Sequence, residues 1–203
     1  MMTQNEDLHG SAPDKSETTL LLIDVINDLE FEGGEKLLPH ALEMAHHLAR
    51  LKRRVRQHGV SVIYANDNFG KWQSDFQRLL DHCLKDNVRG REIAKLLHPD
   101  DDDYFVLKPK HSGFFSTTLE TLLRYLGTRT LIITGVATDI CVLFTANDAY
   151  MRDFKLYIPS DCVAAEDPDR SAATLAHMER VLKADIRESA QIPSELFSKR
   201  VSE

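Results

Sequence analysis

The chain has 203 residues, 42% of them hydrophobic and 28% charged, which is enough for one globular core and too little for a second. Its 25 Lys+Arg against 32 Asp+Glu give a formal net charge of -7, which excludes a global cationic field for nucleic acid or anionic lipid. No apolar run approaches the roughly 18 residues of a membrane span, and residues 1–17 lack the apolar core of a signal peptide.

Residues 1–18 are poor in large apolar groups and read as a flexible N-terminal tail, with a single domain over 19–203. Thr19-Leu20-Leu21-Leu22-Ile23-Asp24 is an apolar run too short for a helix; it suits a central parallel strand buried on both faces. Leu38, Ala41, Leu42, Ala45, Leu48, Ala49 and Val55 recur at helical spacing up to Gly59, and Val60–Ala65 reads as the second strand. The stretch 66–103 is the least regular, with amphipathic segments near Phe76–Leu84 and Ile93–Leu97 and then the acidic run Asp100–Asp103. Tyr104–Leu107 is a short third strand, Thr117–Leu126 a helix stopped by Gly127, and Thr130–Gly135 the fourth strand. A helix over Ile140–Arg152, a strand over Lys155–Ile158, a helix over about Arg170–Lys183 and a strand near Asp185–Glu188 complete the pattern. Six strands alternating with helices predict an α/β three-layer sandwich, a six-stranded parallel sheet flanked by helices. Ligands of such sheets gather at the carboxyl ends of the strands.

Three ionisable groups leave the sheet at that edge: Asp24 after the first strand, Lys108 after the third, and Cys141 just beyond the fourth. Cys141 falls about where a helix begins, with Thr138 or Asp139 as the expected cap. Unpaired amides there, and Lys108 nearby, are expected to lower the thiol pKa, with Asp24 as proton acceptor. The same amides can hold a developing oxyanion, an effect of about 3–4 kcal/mol. Each residue also has a plain structural reading: a cysteine as core filler, an aspartate as turn former, a lysine as solvated surface. With Cys83 and Cys162 the chain holds an odd, widely spaced set of three cysteines. They make neither a disulfide framework nor a zinc site, and point to a reducing cytoplasm.

Three blocks resemble the isochorismatase-like cysteine hydrolases, the family of nicotinamidases and N-carbamoylsarcosine amidases. They are Leu21–Asp28 (LLIDVIND), which looks like the family's opening strand, Lys108-Pro109-Lys110-His111-Ser112-Gly113-Phe114, and Gly135–Val142 continuing to Ala149, with Asp161 also in place. The resemblance covers about residues 19–190. It implies Asp24 as general base, Lys108 as the cation beside the nucleophile, Cys141 as the nucleophile, and a cis peptide at Val136–Ala137. The amides of Ala137 and Cys141 then form the oxyanion hole, and the fold is the family's six-stranded parallel sheet between helices.

Two departures matter. Ile26 replaces the family's usual Gln, and Phe69 stands where nicotinamidases carry a metal-binding histidine after Asp67. No metal and no other cofactor is therefore expected. The leading expectation is hydrolysis of a small molecule's C–N bond, amide or carbamoyl, through a thioester, with Asp24 serving the thiol, the leaving amine and the water in turn. Two alternatives stand beside it: vinyl-ether hydrolysis of the isochorismate type, against which Cys141 argues, and an inactive binding protein of the same fold. Fast labelling of Cys141 by iodoacetamide at pH 6 is the expected sign of an activated thiolate. Leu29, Phe31, Asn68, Phe69, Trp72 and Phe114 are expected around the substrate, with Phe115 beside them. A homo-oligomer, dimer or tetramer, is the expected partner state. A P-loop, a dinucleotide loop and a serine elbow are all missing from the sequence.

Overall fold

The run Thr18–Ile23 forms strand β1, and every one of its residues is buried. Its side chains alternate between two cores, as strand geometry requires. Leu20 and Leu22 face one cluster, with Ala41, Leu48, Leu79 and Ile93; Leu21 and Ile23 face the other, with Leu119, Leu123, Ala146 and Met178. That two-sided burial is why the run has no polar alternation. The structure is a computed structural model and describes residues 16–67 and 76–197.

Four further parallel strands extend the sheet: β2 (Ser61–Asp67), β3 (Tyr104–Lys108), β4 (Thr130–Val136) and β5 (Lys155–Tyr157), in the order β3-β2-β1-β4-β5. A two-residue strand, β6 (Val163–Ala164), pairs with Gly135 and Val136 beyond the point where β5 stops. Helices α1 (Gly34–Arg56), α2 (Phe76–Lys85) and α3 (Arg91–Leu96) supply one face. Helices α4 (Leu119–Leu126), α5 (Leu143–Tyr150) and α6 (Pro168–Leu182) supply the other. This is the expected α/β sandwich with six parallel strands. Among the described residues no helix is long and apolar enough to cross a membrane.

Two boundaries differ from expectation. The first strand opens at Thr18, with Ser16 already packed: its amide donates to the Leu126 carbonyl at 2.8 Å. The sixth strand is not Asp185–Glu188 but Val163–Ala164. Asp185 makes a single parallel bridge to Tyr157, and its carboxylate then accepts the amide and guanidinium of Arg187, folding the chain into a turn instead of a ladder.

The acidic run before β3 has a structural task. Lys52 of α1 is buried, and its ammonium lies 2.6 Å from the enclosed Asp103 carboxylate, 2.9 Å from Asp100 and 3.0 Å from the His98 carbonyl. Arg56, one turn on, completes the clamp on Asp103 at 2.6 Å. The start of β3 is thereby fixed to the helix behind it. At the other end of the sheet, Gly135 has φ +110°, and a Cβ there would sit 2.0 Å from the Ile23 carbonyl oxygen. Only glycine lets β4 pass this close to the last residue of β1.

Lys52→Met is expected to lower stability by about 3 kcal/mol in urea denaturation, because Asp103 stays buried with half its counter-charge removed. Gly135→Ala combines left-handed strain with a backbone clash and is expected to cost about 3 kcal/mol or more, read as a lowered melting temperature or loss of soluble protein.

Candidate active site

Asp24 follows β1 directly and adopts a left-handed conformation, φ +51°. Such a conformation costs about 1–2 kcal/mol for an L-residue. Its amide donates to the Ala65 carbonyl at 3.0 Å, and its Oδ1 accepts the Asp67 amide at 2.7 Å, so both ends of the turn are tied to β2. The remaining oxygen, Oδ2, faces the Lys108 ammonium at 2.8 Å. Lys108 is the last residue of β3, in register with Asp67, and is 0% exposed. Its Nζ also lies 3.3 Å from the Lys110 carbonyl oxygen and 3.5 Å from Cys141 Sγ, so the three protons of the ammonium meet three acceptors. The Asp67 carboxylate stands 3.9 Å from the same nitrogen.

Cys141 does not sit in the first turn of an α-helix, as expected. The Val136–Ala137 peptide is cis, and residues Thr138–Val142 then form one wide π-type turn before α5 begins at Leu143. The Ala137 carbonyl accepts both the Ile140 amide at 3.0 Å and the Val142 amide at 3.2 Å. Neither Thr138 nor Asp139 caps a helix: the Thr138 hydroxyl bonds that of Ser171 on α6 at 2.8 Å, and Asp139 faces Arg170 at 3.5 Å. The wide turn is thus fastened through its side chains to α6, and Cys141 within it is half-buried.

The segment after β3 is bolted to α5. The Ser112 hydroxyl donates to the Asp148 carboxylate, the Gly113 amide donates to the Thr145 hydroxyl at 3.0 Å, and the Thr117 hydroxyl closes back on the Gly113 carbonyl at 2.6 Å. These bonds explain why a serine two residues beyond Lys-Pro-Lys and a Thr-x-x-Asp on the helix go together. They also bring in a residue that sequence reasoning passed over. His111 Nδ1 lies 3.8 Å from Cys141 Sγ, and its ring packs against Phe144 at 5.4 Å between centroids. Its position in the Lys108–Phe114 block was the available signal.

Asp24, Lys108 and Cys141 are brought together, and Ala137 adjoins them at the start of the wide turn. The expected pocket fares differently. Leu29 is buried behind Asp24, against a cavity of about 10 Å³, far too small for a substrate. Phe114 is a core residue, packed on Phe154 at 6.0 Å and beneath Arg152 at 4.8 Å. Phe31 and Phe115 are exposed. Asn68, Phe69 and Trp72 lie outside the described residues. Cys83 and Cys162 are fully buried free thiols, and Asp161 holds Ser189 and His47 at 2.7 and 2.9 Å. A cavity of about 380 Å³ between α1 and α6, along β6, contains none of the three central residues. Among the described residues no cluster of His, Cys, Asp and Glu is arranged to hold a metal ion.

Residues 18–190 match the isochorismatase domain. The chain is 44% identical over 178 residues to the uncharacterized isochorismatase family protein YaaI of Bacillus subtilis, covering 88% of this chain and 97% of that one. It is 27% identical over 183 residues to the ureidoacrylate amidohydrolase RutB of Methylorubrum extorquens, covering 76% and 73%. Among solved structures, the N-carbamoylsarcosine amidase of Thermoplasma acidophilum superposes with a TM-score of 0.66 at 26% identity, covering 87% of this chain and 98% of that one.

Electrostatics correct one expectation. Burial and the neighbouring Asp24 carboxylate push the Cys141 thiol up to about 12, outweighing the Lys108 ammonium that pulls it down. Burial also raises Asp24 above the ordinary carboxylate range, against the pull of Lys108. Burial works against the Lys108 charge, yet Asp24 and Cys141 more than offset it and hold its pKa high. Burial and the Asp24 charge thus oppose the thiolate in the free protein, and Lys108 favours it. With the thiol pKa above the working range, the thiolate fraction grows about tenfold per pH unit until that pKa is reached. Iodoacetamide labelling of Cys141 in the free protein, followed by peptide mass spectrometry, is expected to be slow at pH 6 and still rising at pH 9. A plateau below pH 7 would contradict this electrostatic picture.

Proposed function

The chain belongs to the isochorismatase family of hydrolases, and from that premise we propose that it cleaves a C–N bond, amide or carbamoyl, of a small molecule through a thioester on Cys141. The observation that carries the reading is the position of the Lys108 ammonium, 2.8 Å from Asp24 Oδ2 and 3.5 Å from Cys141 Sγ. Asp24 takes the thiol proton as Sγ attacks the substrate carbonyl carbon. A carboxylate whose pKa is raised by burial is a stronger acceptor for that proton than an exposed one. The transfer converts carboxylate and thiol into acid and thiolate beside the same ammonium, so the net charge of the enclosed site does not change and no charge is newly desolvated.

The amides of Ala137 and Cys141, on the cis-linked residue and in the wide turn, receive the carbonyl oxygen as it becomes an oxyanion. Collapse of the tetrahedral species breaks the C–N bond, and the Asp24 proton passes to the departing nitrogen. Water then cleaves the thioester, releasing the acid and restoring the thiol. These steps use the chain's own side chains and backbone and invoke no cofactor. The relatives named as amidohydrolase and amidase support the choice of bond.

Ammonia release from a panel of primary amides, carbamoyl compounds and ureido acids identifies the substrate class. For the best of them, Cys141→Ala and Asp24→Asn are each expected to lower kcat by about 10³-fold or more with the circular dichroism spectrum unchanged. A folded Cys141→Ala protein with wild-type turnover refutes the thioester.

A further inference from the structure

We propose that His111 is a catalytic acid–base residue of the second half-reaction, taking a proton from the water that cleaves the Cys141 thioester. The proposal rests on the reading of Cys141 as nucleophile and divides the proton transfers between two groups. Asp24 is poorly placed for water arriving from outside. It is 6% exposed, and its two oxygens are engaged by the Asp67 amide at 2.7 Å and the Lys108 ammonium at 2.8 Å. His111 is exposed, and its Nδ1 lies 3.8 Å from Cys141 Sγ.

The histidine is held there on both sides. Lys110, before it, offers its carbonyl to the Lys108 ammonium, and Ser112, after it, is bonded to Asp148 of α5. The ring itself leans on Phe144, tilted by 54°. An exposed side chain in an ordinary surface loop has neither its neighbours pinned nor its ring buttressed in this way, and the immobilised geometry is what a proton-transfer group requires.

The step balances with the imidazole neutral and its proton on Nε2. Nδ1 accepts a proton from water as the water oxygen bonds to the thioester carbonyl carbon. The C–S bond breaks, leaving the carboxylic acid and the Cys141 thiolate. The imidazolium proton is then transferred across the 3.8 Å contact to Sγ, regenerating the thiol. No oxidant, reductant or further reactant is needed.

4-Nitrophenyl acetate separates the two halves, because nitrophenolate leaves without being protonated. In His111→Gln the burst of nitrophenolate, about one per chain, is expected at the wild-type rate. Steady-state release should then fall by about 10²-fold or more, the usual range for loss of a general base. Acetyl-Cys141 should accumulate in the mass spectrum, and added hydroxylamine, which attacks thioesters without such help, should restore turnover. Unchanged steady-state release without acetyl-enzyme overturns the role of His111 and leaves Cys141 as nucleophile intact. Equal slowing of burst and steady state also overturns it, since that pattern belongs to a residue that only supports the fold. If wild-type protein is never acetylated on Cys141, the nucleophile assignment fails, and the role of His111 with it.

Discussion

A lysine ammonium with no exposed surface is the constraint around which this structure is arranged. Moving such an ion out of water costs several kcal/mol unless its protons are satisfied and its charge is countered. At Lys108 a carboxylate, a sulfur and a main-chain carbonyl do so together, and they come from three different parts of the chain. The registers make this possible. Ile23 is level with Ala65 and Gly135, and Asp67 is level with Lys108, so the chain leaves β1, β2, β3 and β4 within one small region of the sheet edge. Removing any one partner leaves a buried charge or dipole without its complement. The site and the packing of the strand ends are therefore one energetic unit.

Much of this architecture is legible in the sequence because it depends on local pattern. Uninterrupted apolar runs such as Leu20–Ile23 announce strands covered on both faces, and the interleaved helical periodicities announce what covers them. The acids and bases at the strand ends follow from counting along those runs. What escaped reading depends on contacts between distant residues. Val163-Ala164 is too short to look like a strand and is made one by the glycine-bearing end of β4. Asp185 looks like the start of a strand, but its side chain captures Arg187. Cys141 looks like a thiol at a helix start, where the dipole would lower its pKa; burial and the Asp24 carboxylate push it the other way. His111 gave no pattern of its own, since its importance comes from a cysteine thirty residues away.

The same contrast explains why the chemistry-bearing blocks extend past their reactive residues. Ser112, Thr145 and Asp148 touch no reacting atom, yet they join the loop after β3 to α5. Thr138 and Ser171 join the wide turn to α6. Two independent fastenings thus hold the sulfur, one through its own turn and one through the loop bearing His111. Without them the 3.5 Å approach of Lys108 to Sγ would rest on a single flexible side chain.

The wide turn also separates two things that evolution can alter at different rates. Thr138 and Asp139 carry its fastenings to α6, whereas Ile140, next to Cys141, is 40% exposed. Its side chain can change in size and polarity without touching the buried ion pair or the strand registers, whereas Phe144 on α5 also supports the His111 ring. Such an exposed position lets descendants of one ancestor diverge at the surface while the buried ion pair is inherited unchanged.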